Sequence, residues 1–381
     1  MNGRMGEMEE KMINPLSENI YKKRIYDRKE DIRGHYFRDQ TAIIHSMPFR
    51  RLKNKTQVFF SPKNDHICTR IEHVLHVSTI AATICKGLDL DIDLAQAIAL
   101  GHDLGHAPFG HAGEDKLNKL AIDNKGFFIH EVYSLRVVDK LAREGDGLNL
   151  TYAVRDGIIS HCGEEFTQFI EPLRCYKELD KIEDRKTLPT TYEGCVVAMA
   201  DKISYLGRDI EDAIKAKIIT DDDIPKNVRD NLGRKNGEII DSFVTDMIEW
   251  SLKNGKIGFS KEKFELMLEL KDFNYKKIYK HDILKNYISH VERILDIIYE
   301  HLLKICQEFK GDLQKYNTGI PVDKRFGCYL KKMDKLYGKK EEFKPEQIVL
   351  DYVAGMTDQY ALQCAQEIIF PQPISFDSGE L

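Results

Sequence analysis

Nowhere in the 381 residues is there a run of about 18 apolar side chains, so no membrane-spanning helix is expected. The opening stretch, MNGRMGEMEEKMINPLSENI, has no apolar core and does not read as a secretory signal. The eight cysteines stand singly, at Cys68, Cys85, Cys162, Cys175, Cys195, Cys306, Cys328 and Cys364. The absence of any CxxC pair argues against a zinc ribbon or a thioredoxin-like motif. Dispersed thiols suit a reducing cytoplasm, most of them as small buried hydrophobes. Charge of one sign is also lacking. A net charge of −5 argues against a protein whose task is to coat nucleic acid, while leaving room for a local basic pocket. There is no internal repeat, and alternating strand patterns are scarce.

What is present is helical periodicity in an ordinary globular composition, 42% hydrophobic and 31% charged. The expected fold is all-α, a helical bundle with additional C-terminal helices and at most a small β-hairpin. Four regions are expected: a charged N-terminal segment with a mobile start (1–35), a core (36–215), a helical C-terminal region packed on it (216–366) and a loose tail (367–381). The pattern predicts helices over Arg38–Gln57, Arg70–Gly87 and 92–105, the last capped by Asp91, and over 129–143, 192–214, 262–310 and 342–366. The stretch SPKNDH (61–66) reads as a turn and 220–237 as a polar insertion.

Eight of the 13 histidines, His66, His73, His76, His102, His106, His111, His130 and His161, fall within one stretch of the chain. Histidine is the commonest metal ligand and the usual proton carrier near neutral pH. His73, the doublet His102–Asp103 and the lone Asp201 sit on three predicted helices. Two imidazoles and two carboxylates form a mixed nitrogen/oxygen donor set for a divalent cation, and Mn²⁺, Mg²⁺, Fe²⁺, Ni²⁺ and Co²⁺ all remain open. Around them His106, His111, Glu114 and His130 can move protons. His111 and Glu114, three residues apart, can meet on one helical turn. His106 reads equally well as a site residue or as a structural cap. Asp201, Tyr205, Arg208, Asp209 and Asp212 share one face of a rather apolar helix, which favours a site over a solvated stripe. Arg51, Arg70 and Lys202 adjoin motif residues and can meet phosphate.

Six segments in order, FRRLKNKTQVF (49–59), TRIEHVLHV (69–77), IALGHDLGHAPFGHAGE (98–114), FIHEVYSLRVV (128–138), ADKISYLGRDIEDA (200–213) and DYVAGMTDQYA (351–361), resemble the HD-domain deoxynucleoside triphosphate triphosphohydrolases, the dGTPase-like proteins. The resemblance spans roughly residues 36–365. It implies an HD-domain helical bundle that cleaves a dNTP, dGTP or several of the four, to deoxynucleoside and inorganic triphosphate. It implies that His73, His102, Asp103 and Asp201 hold the metal, and that His111, Glu114 and His130 are catalytic. A metal-activated water would attack the α-phosphorus, and His111 or His130 would protonate the leaving 5′-oxygen. It further implies that Gln57 and Asp209 hold the sugar 3′-hydroxyl, that Tyr205 packs on the deoxyribose, and that Arg70 and Lys202 touch phosphate. Roles for Arg51, His106 and Arg208 stay open. Arg208–Asp209 stands where many bacterial members have His–Asp. Glu72, His76 and Cys68 also depart from the common pattern, and all four metal ligands are retained. The expected partners are a dNTP substrate, further copies of the chain in a tetramer or hexamer, an activator dNTP and, weakly, single-stranded DNA. The alternatives are an HD phosphohydrolase acting on another nucleotide, or a nucleotide- or DNA-binding protein without catalysis.

Overall fold

Helix Ile92–Gly101 is the axis around which the first half is built. Its sequence, IDLAQAIALG, is apolar apart from Asp93 and Gln96, and Leu94, Ala95 and Ala97–Gly101 are buried. Asp91 starts it, its carboxylate accepting from the Leu94 amide at 3.0 Å. Helices Gly34–Ile44, Arg70–Gly87, Tyr152–Ile159 and Tyr192–Lys215 pack against it, and Arg70–Gly87 also packs along Tyr192–Lys215. These five form the bundle that holds the site. The computed structural model describes residues 12–59, 67–161, 166–338 and 343–370. The turn expected at 61–66 with His66, Cys162, the first 11 residues and the tail from 371 onward lie outside them.

A second group of helices closes over the bundle. The long amphipathic helix Asp282–Phe309 packs on Gly110–Asp123, Pro345–Ala354 and Asp358–Ile369. The apolar stripe runs through Leu284, Val291, Leu295, Ile298, Leu302 and Ile305, at the three- and four-residue spacing of one helix face.

All-α is the observed class. Among the described residues the only strands are Phe169–Ile170 and Ile257–Gly258, paired antiparallel. They come from distant parts of the chain, so they form a pinned contact rather than the hairpin expected. Several boundaries differ from expectation. The single helix expected over Arg38–Gln57 is broken: Gly34–Ile44 ends, Ser46 caps a new short helix, Met47–Arg51, and a 3₁₀ turn, Leu52–Asn54, follows. Ser46 Oγ accepting from the Phe49 amide and Pro48 in the first turn are the physical cause. The polar insertion contains helix Lys226–Leu232, which buries Val228 and Leu232. The region 262–310 is two helices, Lys261–Asn274 and Asp282–Phe309, separated by a π turn at Tyr275–Tyr279. The helix expected over 129–143 is α from His130 to Arg136 and continues as π through Leu141. The described part of the N-terminal segment is anchored to the bundle. Arg24 pairs with Asp39 at 2.6 Å, Asn14 donates to Glu193, and the Tyr21 hydroxyl donates to the Thr190 carbonyl. The last helix runs to Ile369, three residues into the expected tail.

Candidate active site

Three helices converge on one point. His73 lies in the first turn of Arg70–Gly87, whose start is set by reciprocal bonding of Thr69 and Glu72. His102 is the C-cap of Ile92–Gly101, with Asp103 directly after it. Asp201 lies midway along Tyr192–Lys215. His73 Nε2 is 3.0 Å from Asp201 Oδ1 and 3.8 Å from Asp103 Oδ2. His102 Nε2 is 3.5 Å from Asp103 Oδ1 and 3.9 Å from Asp201 Oδ1.

The outer edges of both rings fix their tautomers. His102 Nδ1 sits 2.6 Å from the Ala99 carbonyl, which can only accept, so Nδ1 carries the proton. Ser204 gives its one proton to the Asp201 carbonyl and therefore accepts from His73 Nδ1 at 3.2 Å. Both Nε2 lone pairs then face the carboxylates. His102 Nε2 is buried without a hydrogen-bond partner, an orphan that a cation would satisfy. Burial pushes the His102 pKa down, favouring the neutral form a metal needs. Burial would raise the Asp103 carboxyl, but Arg70 and the surrounding imidazoles outweigh it and hold it well below the usual range. Asp201 is likewise held low against its burial, chiefly by His73. Two imidazoles and two carboxylates, one imidazole nitrogen orphaned, fit a divalent cation.

Beside this quartet lies a proton-handling group. Glu114 is buried on helix Gly110–Asp123; both its oxygens lie 3.0 Å from His130 Nδ1, and Oε1 accepts the His130 amide. Glu114 is held well below its usual pKa, because His130, His111 and His106 outweigh its burial. His130 Nε2 in turn points to Asp103 Oδ1 at 4.0 Å. His111, one turn before Glu114, places Nδ1 3.8 Å from Glu114 Oε2 and leaves its ring open to solvent, 75% exposed. His106 is fully buried, stacked on His130 at 4.5 Å, with Nδ1 unpartnered. The structure thus places it inside the cluster rather than as a helix cap.

The substrate candidates are less uniform. Arg70 binds Asp103, while its Nε and Nη2 are buried without partners. Gln57 has a buried, unpartnered Oε1. Asp209 is buried, accepts from the Tyr279 hydroxyl, and is pushed up to about 7 by its burial. Tyr205 is half-buried on the same helix. Lys202 is buried over the Phe166 ring at 5.2 Å. Arg208 pairs with Glu211 at 2.9 Å and approaches His76, so here the helix face behaves partly as a charged stripe. Asp212 accepts the Cys68 amide, a structural use. Arg51 donates to the Gly355 carbonyl in a separate hollow lined by Tyr329, Lys332 and Asp351.

Sequence reasoning gave no role to three neighbours. His161 packs against His102 at 4.8 Å, and burial pushes its pKa down to about 4. Arg185 reaches from a loop to bind both Glu114 and Glu131. His161 had been visible only as one of the clustered histidines. Nothing in the local sequence marks Arg185 or Glu131, since a loop arginine and a helix glutamate are usually solvated.

Comparison with known proteins agrees with this geometry. An HD domain matches residues 70–206, and a phosphohydrolase-associated domain matches 330–367. The chain is 38% identical to a deoxyguanosinetriphosphate triphosphohydrolase-like protein of Caldanaerobacter subterraneus subsp. tengcongensis, over 96% of this chain and 95% of that one. It is 37% identical to one of the same description from Desulfatibacillum aliphaticivorans, over 90% of each. A third, from Clostridium tetani, is 35% identical over 94% of this chain and 93% of its own. With the His–Asp doublet at the centre of the matched bundle and relatives aligned over nearly its whole length, the chain belongs to the deoxyguanosinetriphosphate triphosphohydrolase-like family of HD-domain proteins.

Proposed function

We propose that this protein is a metal-dependent dNTP triphosphohydrolase, releasing deoxynucleoside and inorganic triphosphate from dGTP or several dNTPs. The observation that carries the reading is the convergence of His73, His102, Asp103 and Asp201 beside the Glu114–His130 pair. His73, His102, Asp103 and Asp201 would hold the ion. Two imidazoles among four donors favour Mn²⁺, Fe²⁺, Co²⁺ or Ni²⁺ over Mg²⁺. When bound, the ion polarises the phosphate and acidifies a water.

The chain's own groups do the rest. Arg70, with two unpartnered nitrogens, neutralises phosphate charge. Glu114 orients His130 through Nδ1 and keeps its Nε2 turned toward Asp103. The exposed His111, backed by Glu114, donates the proton to the departing 5′-oxygen, since it alone of the cluster faces the open side. Gln57 and Asp209 hold the 3′-hydroxyl, with Tyr205 against the sugar. Lys202 adds positive charge to the same helix face. The working form is a homo-oligomer, a tetramer or hexamer, located in the cytoplasm, with an activator dNTP and weak single-strand DNA binding as further properties of the same reading.

The test is product analysis by ion-exchange chromatography after incubation with each dNTP and with GTP, singly and mixed, with Mn²⁺ or Mg²⁺. Inorganic triphosphate and deoxynucleoside are expected. Pyrophosphate or orthophosphate from these or other nucleotides would instead mark a different HD phosphohydrolase. Asp103→Ala and His102→Ala are expected to lose both metal uptake and turnover. Retained hydrolysis in either would overturn the ligand assignment.

A further inference from the structure

Asp358 lies in the C-terminal segment GMTDQY, far along the chain from the catalytic cluster. It is the first residue of helix Asp358–Ile369, and its carboxylate is buried, 3% exposed. That carboxylate makes no ion pair within its own helix. Oδ2 accepts from the Thr56 amide at 2.8 Å and from the Thr56 hydroxyl, and Oδ1 accepts from the Phe109 amide at 2.8 Å. A single carboxylate thereby ties two segments distant in sequence, the one that carries Gln57 and the one that leads into His111.

Both segments have reason to need tying. Phe109 is a non-glycine residue at φ +66°, followed by Gly110 at φ +62°. Left-handed backbone at a bulky residue costs of order 1–3 kcal/mol and persists only where its surroundings enforce it. The amide that Asp358 holds is the one at this turn. Gly110 abuts the Gln57 carbonyl so closely that an added Cβ would come within 3.0 Å of it. Lys55 reinforces the junction, donating from its buried ammonium to the carbonyls of His106 and Ala354. The Asp358 carboxylate thus fixes the spacing between the backbone at Thr56, next to Gln57, and at Phe109, two residues before His111.

We propose that Asp358 is a positioning residue. It clamps the Thr56–Gln57 segment and the Phe109 turn that starts helix Gly110–Asp123 in mutual register, so that the C-terminal region completes the sugar-binding and proton-donating edge of the site. The roles of Gln57 and His111 in this statement rest on the function proposed above; the clamp itself does not.

The test uses full-length Asp358→Asn and Thr56→Val. Asparagine keeps the shape but turns an NH₂ toward one set of donors, and valine removes only the hydroxyl contact. Hydrogen–deuterium exchange is expected to accelerate about tenfold or more in peptides covering 52–59 and 105–112, with 70–87 and 192–215 unchanged. Mn²⁺ uptake should stay within about twofold of the parent chain, because no metal-ligand candidate is touched. Per metal-loaded site, KM for dGTP should rise about tenfold for Asp358→Asn and less for Thr56→Val, with the preference for dGTP over 2′,3′-dideoxy-GTP reduced. Exchange unchanged at both segments, or raised equally across the whole chain, overturns the clamp. An unchanged KM in metal-loaded Asp358→Asn, with exchange raised at both segments, overturns the claim that the clamp serves the sugar-binding edge. If the parent chain cleaves no dNTP, the proposed function falls, and the exchange data still decide the clamp.

Discussion

At the scale of single residues, the two groups most open to experiment are Asp209 and His111. Burial raises the Asp209 carboxyl to about 7 from an unfolded value near 3.8. Between those values the folded chain binds a proton that the unfolded chain does not, so this group makes stability fall as pH rises through the window. In chelator, Asp209→Asn should therefore gain urea stability relative to the parent chain from pH 4 to pH 7, and the gap should stay level above it. In the proposed role of 3′-hydroxyl acceptor, the ionised carboxylate is the stronger partner, so kcat/KM for a dNTP should climb between pH 6 and pH 8 and lose that limb in Asp209→Asn. A limb that survives the substitution assigns it elsewhere. For His111, removal of a proton donor is expected to lower kcat by about 10²–10⁴-fold. His111→Gln should show that loss with Mn²⁺ uptake intact, and a kcat within a few-fold of the parent chain would move the role to His130. These residues were readable in the sequence because His, Asp and Glu at helical spacing carry their own chemical signal. Arg185 was not, because its partners lie in distant parts of the chain and nothing near it in sequence says so; Asp358 falls in the segment DYVAGMTDQYA, but its partners Thr56 and Phe109 lie far along the chain.

At the scale of elements, local chemistry explains what was legible. Asp91 marked a helix start that the structure reproduces, and Arg70–Gly87 matches its expected bounds at both ends. The failures share a cause. Ser46 interrupts an apolar periodicity that looked continuous, and the cap prevails over the pattern. Helix Lys226–Leu232 hides in a polar stretch because burying Val228 and Leu232 suffices to fold it. A tight element-level constraint beside the site is Gly105, between Asp103 and His106. A Cβ there would fall 2.2 Å from the Ser134 amide nitrogen and 2.4 Å from the Tyr133 carbonyl carbon. The obstacle is backbone, not a side chain that can swing away. Gly105→Ala must push the His102–His106 turn off helix His130–Arg136. The expected cost is about 1–3 kcal/mol in a denaturant titration, together with loss of Mn²⁺ affinity. Full stability and full metal affinity would show that the two segments can part without disturbing the site.

At the scale of the whole molecule, the question is how the C-terminal helices are coupled to the bundle that holds the site. The main polar junction is Asp351, on helix Pro345–Ala354 and 3% exposed. It accepts two bonds from Arg136, at 2.8 and 2.5 Å, and one each from Tyr133, Tyr337 and Gln347. Tyr133 and Arg136 lie on the same helix as His130, so one carboxylate joins the C-terminal region to the element that carries a catalytic candidate. Removing it leaves a largely buried guanidinium and two phenols without their acceptor, a loss of about 3–5 kcal/mol for a broken buried pair. Asp351→Ala should therefore lower the melting midpoint of the whole chain by several degrees. Because the apolar core is continuous from the bundle into these helices, the melt should remain a single transition. Differential scanning calorimetry at fixed protein concentration checks both points. A lowered single transition means that the C-terminal helices and the catalytic bundle unfold as one cooperative body. A split into two transitions, with the upper one unmoved, would mean that the bundle stands alone and that the C-terminal region is a separately folding attachment.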